Sequence, residues 1–188
     1  PCKLKQGSVI TINFSAQDNI ELSSTTVKIG NNNASFVNQT GTNYTYSYTI
    51  NDTDEIWKNI IITAIDHAGN FQIDASQQIM IDNTAPTFNL IEVSPIAADI
   101  DTIVTVRFST SEELDLDNSI IRLGASSPMT FINKNDLNYT FTRLIDGTET
   151  SGWIMVYGAD EAGNIGFNLQ NNEKIHISGY DLFDNYGE

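Results

Sequence analysis

The side chains that most often carry catalysis are scarce in this chain of 188 residues. Its only imidazoles are those of His67 and His176, and its only thiol is that of Cys2. His67 directly follows Asp66 in an expected turn, where adjacent residues do not form a useful acid–base pair. His176 falls on the outward phase of an alternating segment, and the sequence has no G-x-S-x-G, H-E-x-x-H, C-x-x-C or phosphate-binding glycine loop. We therefore expect no enzyme activity and no catalytic residue.

Asparagines that open an N-x-S/T triplet offer a different chemistry, because this triplet accepts N-linked glycans. Six occur in the chain: Asn13, Asn33, Asn38, Asn43, Asn51 and Asn138. Asn43 and Asn138 open matching N-Y-T segments, so we expect glycans on these two if a eukaryotic secretory pathway makes the protein. In a bacterial protein the triplets have no meaning.

Charge and composition exclude several classes of partner. The formal net charge of −15 would repel phosphate backbones and anionic lipid surfaces, so we expect no nucleic-acid partner. No run of 18 apolar residues occurs, which predicts no membrane insertion within this segment. Cys2 has no partner for a disulfide within the chain. It either pairs with a cysteine outside this segment or remains a lone, semi-buried thiol.

The sequence contains an internal repeat with an offset of 94 residues. AIDHAGN at 64–70 returns as GADEAGN at 158–164. Three further pairs of segments occur in the same order. VITINFS (9–15) matches IVTVRFS (103–109), and VKIG (27–30) matches IRLG (121–124). After one inserted residue, NYTYSYTI (43–50) matches NYTFTRLI (138–145). Similarity at a fixed period indicates repeated structural units. We predict two domains, 1–84 and 85–178, followed by a tail or linker over 179–188.

The two copies differ at their beginning. In the second copy, APTFNLIEVSP (85–95) contains an expected first strand and ends on the proline equivalent to Pro1. The first copy has no counterpart of these residues. We therefore expect the first domain to lack its first strand, and the chain to be cut from a longer protein.

Apolar and polar residues alternate within each copy, the pattern of a half-buried β-strand. In VITINFS, for example, Ile10, Ile12 and Phe14 share one face. Two later segments alternate in the same way. One places Trp57, Ile61 and Ile65 on one face of a strand in the first copy, and the other places Trp153, Met155 and Tyr157 on one face of a strand in the second copy. Six or seven short strands per copy, separated by Asn, Asp and Gly, predict an antiparallel β-sandwich in each.

The repeated A-G-N motif fits the turn between the last two strands of each sandwich. Asp66 and Asp160 would end a strand and accept backbone N–H groups of the turn. Gly69 and Gly163 would supply a positive φ, and Asn70 and Asn164 tolerate a left-handed backbone. The motif is therefore interpreted as turn chemistry and not as an active site.

AIDHAGNFQIDASQQIMIDNTAPTF (64–88) resembles the junction of two bacterial-type immunoglobulin-like (Ig-like) repeats, as found in tandem arrays of large adhesins and cell-surface proteins. Such repeats typically contain A-x-D-x-A-G-N, a strand, and then V-D-x-T-A-P-T. VTVRFSTSEELD (104–115) is similar to their early strand, whereas the end of the second copy lacks the D-x-T-A-P junction. The resemblance implies two tandem immunoglobulin-like antiparallel β-sandwiches in an extracellular or cell-surface protein.

A second resemblance is to cadherin repeats, which join through D-x-N-D-N-A-P, similar to IDNTAP (81–86). It implies calcium at the junction, with Asp66, Asp82 and Asn83 as candidate ligands. Calcium takes about six to eight oxygens, and neither copy contains a segment similar to the cadherin L-D-R-E. The sequence by itself requires no cofactor.

Two functions follow from these expectations. The first is a non-catalytic structural or adhesive segment, a spacer or assembly module whose partners are other domains of the same or a neighbouring chain. The second is a module that binds a protein or glycan through its loops and C-terminal tail, in which Tyr180, Phe183 and Tyr186 are the candidate contacts. An accessory domain of a carbohydrate-active enzyme is a third possibility.

Overall fold

The computed structural model of the protein describes residues 2–126 and 128–178. These residues form strands, turns and loops without a helix. The predicted tail, with Tyr180, Phe183 and Tyr186, lies outside the described residues. The chain divides into two compact units, and the boundary falls between Asn83 and Thr84.

Unit 1 contains eight strands. They are β1 (Cys2–Leu4), β2 (Val9–Ser15), β3 (Leu22–Ile29), β4 (Asn32–Asn33), β5 (Ser35–Thr40), β6 (Asn43–Thr49), β7 (Ile56–Asp66) and β8 (Phe71–Ile81). One sheet has the order β1-β8-β7-β3-β4 and the other β2-β6-β5. Only β1 runs parallel to its neighbour among these described pairs, and the rest are antiparallel.

The core of unit 1 lies between its two sheets. The three-stranded sheet contributes Ile12 and the alternating tyrosines of β6, and the larger sheet contributes Val27, Ile79 and Ile81. Phe14 stacks on Tyr44 with 5.5 Å between ring centroids. The period-two alternation of the sequence thus places one face of each strand in a common apolar layer.

Unit 2 repeats this arrangement. Its strands are β9 (Phe88–Ser94), β10 (Ala97–Ala98), β11 (Ile103–Thr110), β12 (Asp115–Leu123), β13 (Thr130–Asn135), β14 (Asn138–Leu144), β15 (Gly152–Ala159) and β16 (Ile165–Ile177). The sheets have the orders β10-β16-β15-β12 and β13-β14-β11-β9. Val106, Phe108, Tyr139 and Ile154 are among the buried residues between them.

The predicted fold class is confirmed: both units are Ig-like β-sandwiches in tandem. Strand β10 pairs in parallel with β16 as β1 does with β8, and β11 pairs with β14 as β2 does with β6. The sequence offset of 94 therefore corresponds to structurally equivalent strands.

One strand has no equivalent in unit 1. In unit 2, β9 pairs antiparallel with β11 and forms the edge of its sheet. In unit 1, β2 is itself the edge strand. That the first domain lacks its first strand stays a prediction.

The aromatic face of the penultimate strand points away from the core. On β15, Ile154 and Val156 are fully buried, whereas Trp153 and Tyr157 are exposed. On β7, Ile60 and Ile62 pack on the core, so Trp57, Ile61 and Ile65 occupy the outer face. Alternation identifies two faces of a strand but does not by itself say which is buried when both are apolar.

Candidate functional site

The first A-G-N turn is closed by Asp66. Its carboxylate accepts the backbone N–H of Asn70 at 2.8 Å and the side-chain amide of Asn70 at 2.7 Å. Backbone bonds from Asp66 N–H to the Asn70 carbonyl (3.0 Å) and from Gly69 N–H to the Asp66 carbonyl (3.3 Å) complete the turn. Gly69 has a φ of 88°, which a side chain disfavours.

The second turn repeats these contacts. Asp160 accepts the backbone and side-chain N–H groups of Asn164, both at 2.8 Å, and Gly163 has a φ of 84°. Neither asparagine adopts the expected left-handed backbone, since among the described non-glycine residues only Asp101 and Asp136 have a positive φ. The asparagine instead supplies its amide to the aspartate.

These bonds also affect ionisation. The side-chain bond from Asn70, more than any other cause, lowers the pKa of Asp66 below its ordinary value of 3.8, and the backbone N–H groups of the turn add to the effect. The carboxylate is held by donors within its own turn. The motif therefore closes a hairpin, as the sequence predicts.

The three calcium candidates do not form one site. Asp66 lies at the turn before β8, and Asp82 follows the other end of that strand, 11 residues in length. At about 3.3 Å per residue, β8 is roughly 35 Å long, so Asp66 and Asp82 lie near its opposite ends. Asp82 pairs with the ammonium of Lys3 at 3.1 Å, and the Asn83 side-chain oxygen accepts the Gln6 N–H at 2.7 Å. The structure thus does not bring Asp66 together with Asp82 and Asn83, and calcium binding at the junction stays a prediction.

The remaining predicted residues lie on the surface. All six asparagines of the N-x-S/T triplets are exposed, and the structure does not test whether they carry glycans. His67 and His176 are exposed on their own units, with His67 Nε2 at 3.7 Å from Glu21. Cys2 is exposed and not semi-buried.

An exposed apolar surface of unit 2 lies on the outer face of β12, β15 and β16, which we call face 2. Its members are Ile120, Trp153, Met155, Tyr157, Ile165, Phe167 and Leu169. Strand pairing places Ile120, Tyr157 and Phe167 in one row across the three strands. Phe167 is 62% exposed. The next row joins Met155 to Leu169 on one side and to Arg122 on the other.

Unit 1 carries an equivalent surface, face 1, on β3, β7 and β8. Its apolar members are Trp57, Ile61, Ile65, Phe71, Ile73 and Met80. Ile65 pairs with Phe71, which is 67% exposed, and the offset of 94 matches Phe71 with Ile165 and Ile73 with Phe167. Each face also has a cationic residue at an equivalent position. Lys28 pairs with Ile61 in face 1, and Arg122 pairs with Met155 in face 2.

Sequence reasoning did not find the buried carboxylate of unit 2. Glu149 is fully buried, and its Oε1 accepts the Arg143 Nε–H at 2.6 Å while Oε2 accepts the Asp146 N–H at 3.0 Å. At the offset of 94 it corresponds to Glu55 of the first copy, which is exposed, so the repeat did not indicate a buried carboxylate. The pair anchors the loop between β14 and β15.

Comparison with known proteins places this arrangement in a fold class. No protein-family model matches the chain, and no curated protein matches it. Among solved structures, the fibronectin(III)-like modules of Clostridium thermocellum CbhA match with a TM-score of 0.51 and 13% identity, over 100% of this chain and 94% of that one. A likeness at this identity shows the fold of Ig-like and fibronectin(III)-like modules and no more.

Two other tandem structures match at lower TM-scores. A chimeric titin Z1Z2-Z1Z2 tandem has a TM-score of 0.37 at 13% identity, over 94% of both chains. The tandem Ig repeats of Dlar have a TM-score of 0.34 at 10% identity, over 94% of this chain and 92% of that one. Within the described residues, no helix has the length and apolarity needed to cross a membrane.

Proposed function

We propose that this chain is a non-catalytic assembly segment of an extracellular or cell-surface protein, and that it contacts the Ig-like units of neighbouring chains through face 1 and face 2. The observation that carries the proposal is the repetition of an exposed apolar sheet face at equivalent positions of both units. Core packing does not require Phe71 or Phe167, which are largely exposed. Their apolar character is therefore better explained by contact with another surface.

We infer that each face makes a weak contact and that the combined contact gains strength because the face is repeated. The largest apolar patch of a typical monomer covers about 300–600 Å², while a stable interface buries about 800 Å² on each partner. An apolar patch of typical size is therefore too small to hold a stable dimer by itself. Two units in tandem make the second contact intramolecular once the first has formed, which raises the combined affinity.

The net charge of the chain makes the proposed contact depend on salt concentration. A net charge of −15 opposes association of like chains, and Lys28 and Arg122 reduce the negative charge at the two faces themselves. Salt screens the long-range repulsion and leaves apolar contact in place. Association should therefore strengthen between 0.05 and 0.5 M salt, the opposite of an interface that depends on ion pairs.

Sedimentation velocity over about 1 µM to 1 mM protein tests the proposal. The native chain should associate as its concentration rises. The double variant Ile73→Lys with Phe167→Lys, one change per face, should remain monomeric because each lysine would be desolvated in the contact.

The matched control is Val9→Lys with Ile103→Lys. These residues are equivalent in the repeat, are 62% and 58% exposed, and lie outside both faces, so this variant should associate as the native chain does. The proposal fails if the native chain stays monomeric over the whole range, or if both double variants lose association equally.

The second candidate function is glycan binding, and the aromatic content of face 2 favours it. Trp153 and Tyr157 lie on the same side of one strand and offer flat apolar surfaces with a hydrogen-bonding group at the edge. A glycan array separates the two functions. Retention of a glycan by the native chain, lost in Trp153→Ala, would favour this candidate over lateral assembly.

A further inference from the structure

A shallow groove opens beside Trp57 at one end of the larger sheet of unit 1. It has a volume of about 500 Å³ and lies between the turn that joins β3 to β4 and the first half of β7. Trp57 is 49% exposed, and the residues that line the groove with it include Asn31, Asn32 and Asn59. The volume falls within the range of about 300–1,000 Å³ that is usual for small-molecule sites.

The sandwich framework does not account for the residue types of this groove. At the offset of 94, Trp57 corresponds to Ser151 and Asn31 corresponds to Ala125. Unit 2 therefore forms the same kind of sandwich without an indole or an amide at these positions. Contact with a ligand explains the indole and the amides of unit 1 better than folding does.

The local backbone brings the amides to the indole. Gly30, with a φ of 56°, forms the turn after β3, and its N–H donates to the Asn59 carbonyl at 2.8 Å. This bond holds the turn, with Asn31 and Asn32, beside β7. Trp57 and Asn59 are two residues apart on that strand, so their side chains lie on the same face of the sheet.

The amides of the groove can both donate and accept hydrogen bonds. The Asn59 Oδ1 accepts the Gln78 side-chain amide at 2.7 Å, which orients the Asn59 side chain and leaves its NH₂ group for a ligand. Asn31 and Asn32 are exposed, and in the described part of the chain their side chains bond to no other residue. Three amide groups are therefore available beside one indole.

The groove offers no unpaired charge. Among its described lining residues only Lys58 is charged, and its ammonium pairs with Asp52. A phosphate, a carboxylate or a cation would lose its hydration here without gaining a free counter-charge. The groove therefore favours an uncharged ligand.

We propose that this groove binds a neutral pyranose unit of a glycan. The C–H face of the sugar ring would stack on the flat apolar indole of Trp57. Neighbouring sugar hydroxyls, each a donor and an acceptor, would bond to the amides of Asn31, Asn32 and Asn59. The groove is open and the contact small, so we expect a dissociation constant on the order of 1 mM. This inference goes beyond the glycan candidate on face 2, which concerns Trp153, and it does not rest on lateral assembly.

NMR titration of the full ¹⁵N-labelled chain, made in bacteria, tests the proposal. The probes are cellotetraose, maltotetraose, mannotetraose and galactotetraose, each added to about 10 mM, roughly ten times the expected dissociation constant. The chain has two tryptophans and so gives two indole N–H signals. At least one probe should shift the indole signal of Trp57 and the side-chain amides of Asn31, Asn32 and Asn59 in a saturable way. The indole signal of Trp153 should not move.

Matched variants assign the binding to the groove. Trp57→Ala should weaken binding of the same probe about tenfold, because the stacking surface is lost. Asn31→Ala with Asn32→Ala changes only exposed residues of a turn, and it should weaken binding several-fold without affecting the fold. Trp153→Ala should bind the probe as the native chain does.

Lateral contact is tested separately, because Trp57 also belongs to face 1. The double variant Ile73→Lys with Phe167→Lys, designed to prevent that contact, should bind the probe with native affinity whether or not the native chain associates. The proposal is overturned if no probe shifts the Trp57 indole, if saturable shifts are confined to Trp153, or if both groove variants keep native affinity.

Discussion

At the scale of the residue, the repeated D-x-A-G-N motif combines an acid, a glycine and an amide at the same spacing in both units. Asp66 and Asp160 each bind two N–H groups of the asparagine four residues later. Each carboxylate is thereby used in closing its own hairpin. Repetition of the motif thus reflects repetition of the hairpin and gives no evidence for a catalytic site.

The lowered pKa of Asp66 gives a test at this scale. Its folded-state pKa lies below 3.8, so its contribution to stability is present above the unfolded pKa and is lost as pH falls through the folded value. Asn70→Ala removes the largest cause of the shift and should raise the pKa of Asp66 towards 3.8. NMR titration of the Asp66 carboxyl carbon measures both values.

Asn59→Ala is a suitable control for this titration, because the Asn59 side chain bonds Gln78 far from the turn. It should leave the pKa of Asp66 unchanged. A native Asp66 with a pKa at or above 3.8 would contradict the role assigned to the Asn70 side chain.

At the scale of the element, alternation predicted the strands because one face of most of them is polar. Tyr44, Tyr46 and Tyr48 are buried as expected from β6. The orientation of β15 could not be predicted in this way, since Ile154 on one face and Trp153 on the other are both apolar. Which face of the strand is buried depends on how the two sheets of the sandwich pack around their common core.

The loop between β14 and β15 shows another limit of the sequence. Glu149 occurs among polar residues of an expected loop, and polar loop residues are usually solvated. Its burial depends on Arg143, which comes from the end of β14. Such a pair arises from the tertiary structure, and Glu55, the equivalent residue of the first copy, is exposed and gives no help in finding it.

Removal of this carboxylate should destabilise unit 2 in particular. Glu149→Ala leaves the Arg143 guanidinium without its buried partner, and we expect a loss of about 3–5 kcal/mol in the free energy of unfolding. Hydrogen exchange resolved by peptide should show faster exchange in β11, β14 and β15 and no change in β7 and β8.

A double variant separates loss of the pair from loss of packing. Arg143→Met with Glu149→Leu should recover much of the stability, since apolar replacement of a buried ion pair is often nearly neutral. A Glu149→Ala protein as stable as the native chain would show that the pair does not hold the loop.

At the scale of the whole molecule, the two units share one arrangement of strands but differ in the strand at the sheet edge and in the residues of the exposed face. Unit 2 has β9 at its sheet edge and an aromatic face, whereas the smaller described sheet of unit 1 ends at β2 and face 1 is more aliphatic. The repeat predicted the strand arrangement that the two units share. The repeat could not predict a partner. A partner is recognised by exposed residues, and the packing of the core does not determine which residues are exposed there.

Hydroxyl-radical footprinting at low and high protein concentration tests lateral contact through these faces most directly. The side chains of Phe71, Tyr157 and Phe167 should be oxidised several-fold less at about 1 mM than at 1 µM. Phe131, which is 39% exposed like Tyr157 but lies on the other sheet, should be oxidised equally at both concentrations. Equal oxidation of Tyr157 and Phe167 at the two concentrations, or a decrease confined to Phe131, would contradict the account.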